Sequence, residues 1–161
     1  MVAGGNSGDE RHHAFQRALN FLKFRARSRQ EIINYLQKKG FTPETASHVI
    51  HRLESSGLSG DAEFAQLWVE SRLRHRPRGK YALTAELSQK GISADIITTV
   101  LAEIDEETAA RDAARRKFRK WRHHDDAEIS EKIISLLRRR GFPHALCRQI
   151  AEEMLQEKDV I

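Results

Sequence analysis

The chain has 161 residues, enough for one domain or for several small cores in series. With 28 Lys and Arg against 23 Asp and Glu the net charge is +5, and 39% of residues are hydrophobic, too many for a wholly disordered chain. No apolar run approaches the ~20 residues of a membrane span, and the single cysteine excludes a disulfide framework or a cysteine-rich zinc site.

Segment 1–8 is small and polar, without the apolar stretch of a secretory signal. It reads as a disordered tail on a soluble, cytoplasmic protein. Phe15, Ala18, Leu19 and Leu22 then form an apolar stripe that predicts a helix over 10–24. A second helix, over 28–39, ends in Leu36-Gln37-Lys38-Lys39-Gly40-Phe41. Glycine suits the positive φ of a helix end, and Leu36 and Phe41 stand where a Schellman turn makes its hydrophobic contact. The base before the glycine complements the helix dipole. Thr42 and Pro43 suit the N-cap and first turn of a helix over 43–56, with a stripe of Ala46, Val49, Ile50 and Leu53.

After a short linker, Gly57 to Asp61, the pattern returns. Phe64, Leu67 and Trp68, with Ala65 and Val69, mark a helix over 61–75. Leu87-Ser88-Gln89-Lys90-Gly91-Ile92 closes a helix over 79–90. Ser93 caps another over 94–104, striped by Ile97, Val100, Leu101 and Ile104. A second linker, Asp105 to Glu107, precedes the third copy. Ala110, Ala114, Phe118 and Trp121 mark 106–122, and Leu137-Arg138-Arg139-Arg140-Gly141-Phe142 ends a helix over 126–140. Pro143 opens the last helix, 143–158, with Cys147, Ile150, Ala151 and Met154 on its stripe. The three glycines lie 51 and 50 residues apart. No segment alternates with period two. The fold class is therefore all-α, a tandem array of three three-helix repeats (9–60, 61–105 and 106–161). Each unit is too small to stand alone, and the short linkers fit an elongated, curved array.

Chemistry-bearing motifs are scarce. His48 and His51 align with Thr99 and Ala102 in the second copy and with Gln149 and Glu152 in the third, so they read as solvated surface. His123-His124-Asp125-Asp126 reads as a helix boundary with an Asp N-cap. Cys147 takes the slot of Ala46 and Ile97, a core position. No phosphate-loop, nucleophile-elbow or zinc-protease motif is present. Neither a catalytic site nor a cofactor or metal is expected.

Positive charge is concentrated instead. Arg25, Arg27 and Arg29 crowd the first helix–helix junction, with Lys23 beside them. Arg72, Arg74, Arg76, Arg78 and Lys80 crowd the corresponding junction of the second repeat. Arg115, Arg116, Lys117, Arg119, Lys120 and Arg122 form the densest cluster, and Arg138, Arg139 and Arg140 add a fourth group. Residues 61–105 nevertheless hold six bases against seven acids, so part of this charge is a balanced, solvated face. The first three groups are the candidate contacts to a polyanion or an acidic protein groove.

The order of motifs resembles the RecX family. The likeness rests on Ala18-Leu19-Asn20-Phe21-Leu22, Arg25-Ala26-Arg27-Ser28-Arg29-Gln30-Glu31-Ile32 and Lys39-Gly40-Phe41. It continues through Gly60-Asp61-Ala62-Glu63-Phe64-Ala65, Pro77-Arg78-Gly79-Lys80 and Gln89-Lys90-Gly91-Ile92. The resemblance implies a tandem array of three-helix repeats. It also implies a monomeric, non-enzymatic regulator of the RecA recombinase, acting in DNA repair and the SOS response. Such proteins bind the RecA filament on single-stranded DNA and lower its ATPase, strand-exchange and coprotease activities. The alternative reading is a stand-alone basic nucleic-acid-binding helical module. A third, a metal-assisted nuclease, would need His123, His124, Asp125 and Asp126 to act together.

Overall fold

Each of the three repeated hexapeptides places its glycine at a helix end with a left-handed backbone. In the computed structural model, which describes residues 7–160, φ is 91° at Gly40, 79° at Gly91 and 83° at Gly141. The Phe41 and Phe142 N–H groups donate to the Leu36 and Leu137 carbonyls at 3.1 Å. The Gly40 and Gly141 N–H groups donate to Gln37 and Arg138 at 3.0 Å. This is the bond pair of a Schellman turn. The expected linker after the third helix holds another such turn. There φ is 68° at Gly57, and Leu58 N–H donates to the Leu53 carbonyl at 2.9 Å.

The described residues form nine helices and no strand. They are α1 (Ser7–Leu22), α2 (Arg29–Lys38), α3 (Pro43–Ser55), α4 (Asp61–His75) and α5 (Lys80–Gln89), then α6 (Ala94–Ala102), α7 (Glu106–Trp121), α8 (Asp126–Arg139) and α9 (His144–Val160). Polar side chains set the starts. Thr42, Asp105 and Asp125 accept the N–H three residues on, and Ser28 forms a full capping box with Glu31. α1 begins earlier than the stripe suggested. Ser7 and Gly8, read from sequence as tail, are helical, and Asp9 and Glu10 supply the acidic first turn that favours this end. Residues 1–6 of that tail lie outside the described residues.

The chain divides into two compact units, one running to Leu67 plus Ser88–Ile96, the other Trp68–Leu87 plus Ile97 onward. In the first, α1, α2 and α3 close around Ala18, Ile32, Leu36, Val49, Ile50 and Leu53. In the second, α7, α8 and α9 close around Ala110, Ala114, Ile129, Ile133, Ile150 and Met154. Small residues on α7 let α8 and α9 pack close. Phe118 and Trp121 are half-buried against this core, and Cys147 is wholly buried. The stripe of α4 is only partly a core face. Phe64, Ala65 and Val69 are buried, but Leu67 is 45% exposed, with Glu63, Glu70 and Ser71 among its neighbours at helical spacing.

Candidate polyanion interface

The first basic junction joins α1 to α2. Ser28 Oγ accepts the Glu31 N–H at 3.1 Å, and the Glu31 carboxylate accepts the Ser28 N–H at 2.9 Å. The cap thus fixes Glu31 in place. The same carboxylate takes Arg25 in a two-pronged pair (2.6 and 3.2 Å) and Lys90 at 2.9 Å. Burial pushes the Glu31 carboxyl upward, but the hydrogen bonds from Arg25, Lys90 and Ser28 outweigh it and hold the pKa at about 2. Arg27 lies over the Phe21 ring at 3.9 Å and donates to the Phe21 carbonyl at 3.4 Å. Burial and then Arg25 lower its pKa. Arg29 reaches Glu54 at 3.7 Å. All three bases of this junction are engaged within their own unit.

The second junction joins α4 to α5. Trp68 Nε1, Arg72 Nε and an Arg78 amino group converge on Glu86 at 2.8, 3.0 and 3.1 Å. Lys80 N–H donates to the Glu106 carboxylate at 2.8 Å. The connecting loop meets the α8–α9 turn backbone to backbone. Gly79 N–H donates to the Arg140 carbonyl at 2.8 Å. A Cβ at Gly79 would lie 2.3 Å from the Gly141 carbonyl oxygen, and one at Gly141 would lie 2.5 Å from Ala82.

That approach buries Arg140, which is 9% exposed. Among the described residues its guanidinium has the Pro77 carbonyl as an acceptor, at 3.5 Å, and its Nε is buried without a partner, as is the Nε of Arg78. Burial lowers the Arg140 pKa. Arg76, Arg78, Arg116 and Arg139 lower it further by repulsion. Arg116 is held there by the Arg74 and His75 carbonyls, at 2.8 and 3.0 Å. The Arg74 and Arg76 side chains are exposed and make no ion pair or hydrogen bond among the described residues.

The rest of the third cluster is looser. Arg115 pairs with Glu157 at 2.7 Å. Lys117, Arg119, Lys120 and Arg122 lie on the last turns of α7 and its C-cap, with no ion pair among the described residues. The His–Asp segment is structural. Asp125 caps α8, Asp126 pairs with Lys158 at 2.7 Å, and His124 faces Glu128 at 2.9 Å. No group of three metal-binding side chains occurs among the described residues. His48 and His51 are exposed, and burial pushes the Cys147 thiol up, away from reactivity.

Three family models match in succession: RecX, first three-helix domain, on residues 14–53, second on 61–101 and third on 105–150. The chain belongs to the RecX family. A regulatory protein RecX of Mycobacterium avium (strain 104) is 39% identical over 146 residues, covering 88% of this chain and 84% of its own. Its counterpart in Mycobacterium tuberculosis (strain ATCC 25177 / H37Ra) is 36% identical over 149 residues, covering 88% and 86%. The crystal structure of RecX from Lactobacillus salivarius shares the fold, with a TM-score of 0.76 at 24% identity over 96% of this chain and 99% of that one. The all-α repeat fold is thus the RecX fold. Among the described residues no helix is long and apolar enough to cross a membrane.

In this RecX-family chain the structure brings Arg76, Arg78 and Arg116, from two clusters separate in sequence, close enough to repel one residue that sequence reading left out of the binding set. That residue is Arg140. A signal existed: Arg140 precedes a turn glycine as Lys90 does. Its burial, however, comes from the Gly79–Gly141 approach, which no local pattern announces.

Proposed function

We propose that this regulator binds the RecA nucleoprotein filament and lowers its ATPase, strand-exchange and coprotease activities. It acts as a cytoplasmic monomer of three three-helix repeats (9–60, 61–105 and 106–161), without catalysis of its own. Family membership across nearly the whole chain carries the reading, and the charge distribution supports it. The filament presents a DNA backbone and repeated subunits. The end of α4, the α4–α5 loop and the C-terminal turns of α7 offer Arg74, Arg76, Lys117, Arg119, Lys120 and Arg122, which make no ion pair among the described residues. The paired bases Arg25, Arg27 and Arg29 take the lesser share of contacts.

The direct test is single-stranded-DNA-dependent ATP hydrolysis by the cognate recombinase, with this chain added below stoichiometry. Inhibition that excess DNA does not relieve is the expected outcome. Loss of activity only as the chain saturates the DNA overturns the filament reading in favour of a nucleic-acid-binding module. Arg74→Glu with Arg76→Glu, at exposed positions, is expected to weaken inhibition at least ~10-fold while leaving helicity intact.

A further inference from the structure

The two basic junctions are copies of one another, offset by 51 residues before the turn glycine. The offset carries Arg25 onto Arg76, Arg27 onto Arg78, Glu31 onto Ala82 and the turn residues Lys39-Gly40 onto Lys90-Gly91. The next turn, 50 residues on, puts Arg140-Gly141 in the place of Lys90-Gly91. In the first junction Gly91 packs on the start of α2, where an added Cβ would lie 2.7 Å from Gln30 Cβ. In the second Gly141 packs on the start of α5, against Ala82. The two contacts are alike but stand one residue apart in register, since Gln30 corresponds to Tyr81, and the charges differ. Glu31 stands between Arg25 and Lys90 and binds both. Between Arg76 and Arg140 the equivalent side chain is a methyl group. Arg78, Arg116 and Arg139 are close enough to repel the Arg140 charge, although Arg78 is paired with Glu86 and Arg116 is held by the Arg74 and His75 carbonyls. The carboxylate of this junction, Glu86, is taken by Trp68, Arg72 and Arg78, so the buried Arg140 guanidinium, with an unpartnered Nε and like charges beside it, has no carboxylate partner among the described residues.

We infer that the second junction is an anion seat, in which a phosphodiester group of a single-stranded nucleic acid takes the place that Glu31 holds in the first. Several convergent guanidinium forks suit phosphate, whose oxygens accept from more than one donor at once. The neighbouring cleft, about 390 Å³, is lined by Lys80, Tyr81, Arg138 and His144 and also by Glu106, whose carboxylate is engaged by the Lys80 N–H. Tyr81 is 82% exposed and offers a ring face on which an unpaired base can stack. The seat deepens the function proposed above and rests on it for the identity of the polyanion, single-stranded DNA.

The test uses the full chain and a fluorescent oligothymidylate of about 30 nucleotides, titrated across a salt series. Ala82→Glu supplies the missing carboxylate in cis, and Arg140→Met removes the buried charge while keeping an unbranched apolar stem. Each is expected to weaken binding at least ~5-fold and to lower the slope of log K against log salt by ~0.7, the value of one single-strand phosphate contact. Both are expected to hold or raise the melting temperature, since each relieves buried repulsion. Lys132→Gln, outside all the basic clusters and paired with Glu128 on α8, is expected to change DNA affinity less than ~2-fold. Unchanged affinity and slope in Ala82→Glu and Arg140→Met would overturn the seat, as would a large fall in melting temperature with binding intact. Displacement of the oligonucleotide by equimolar inorganic pyrophosphate would assign the seat to a free phosphate and overturn the phosphodiester. The filament reading is judged separately. Wild-type chain that binds the oligonucleotide through Arg140 but leaves recombinase ATP hydrolysis untouched sinks that reading and keeps the seat. Inhibition and DNA binding both preserved in Ala82→Glu sink the seat and keep the reading.

Discussion

The α1–α2 junction and the α4–α5 junction share a backbone plan and differ in how they treat charge. In the first, one carboxylate is fixed by a capping box and neutralises two bases. In the second, Gly79 replaces the capping serine, Ala82 replaces the carboxylate, and the loop closes on the α8–α9 turn through its backbone alone. The first is a stabilising element. The second keeps a like-charged group buried, which is a cost to folding that an anion relieves. A repeated fold lets one copy hold the structure while another is free to bind.

The largest effects come from closing the backbone approach. Gly79→Ala forces a Cβ onto the Gly141 carbonyl and is expected to cost ~3 kcal/mol or more in urea denaturation. Gly91→Val in the other junction meets a φ of +79° and the Gln30 side chain, and ~2–4 kcal/mol is expected. Ser28→Ala, at the position equivalent to Gly79, removes a cap and is expected to cost only ~1 kcal/mol. Equal losses at Gly79 and Ser28 would show that the two loops are held in the same way, against the contrast drawn above.

Glu31→Gln sharpens the electrostatic half of the comparison. It leaves Arg25 and Lys90 without their anion and is expected to destabilise by ~2 kcal/mol at neutral pH. The pH dependence has a definite sign. A carboxyl held at about 2, below its ordinary 4.5, contributes stability that is fully present above pH 4.5 and is lost as pH falls toward 2. Melts between pH 5 and pH 2.5 are expected to show a steeper fall for the native chain than for Glu31→Gln, and parallel curves would remove Glu31 from the account. The smallest effect is at Arg115, whose pair with Glu157 is exposed on both sides. Arg115→Ala is expected to shift stability by no more than ~0.5 kcal/mol, with half of even that screened in high salt.

Much of the fold is legible in the residues. The leucine–glycine turns at Gly40, Gly91 and Gly141 name their own backbone conformation, because a positive φ needs glycine and a Schellman contact needs an apolar residue on either side. The stripes of α3 and α9 name their buried faces for the same local reason: period 3.6 brings i, i+3, i+4 and i+7 together. Leu67 shows the limit. It continues a stripe on paper, yet it is exposed, since which part of a broad apolar face is covered depends on what packs against it. The basic clusters show the limit more sharply. Arg25 and Arg76 are the same kind of residue at the same place in the repeat, and each stands in a run of alternating bases, although the residues between the bases differ.

What separates them is in part local, Glu31 six residues from Arg25 where Ala82 follows Arg76, and in part distant in the chain. Lys90 lies 59 residues from the Glu31 that neutralises it, and Arg140 lies 63 residues from the Pro77 carbonyl to which it donates. The sequence by itself determined the helices, their caps, the threefold repetition and the excess of positive charge, because each follows from interactions within a few residues. Only the tertiary structure decided which bases are neutralised and which face one another unpaired, because ion pairing depends on separation and burial, and both are set by how far-apart turns meet.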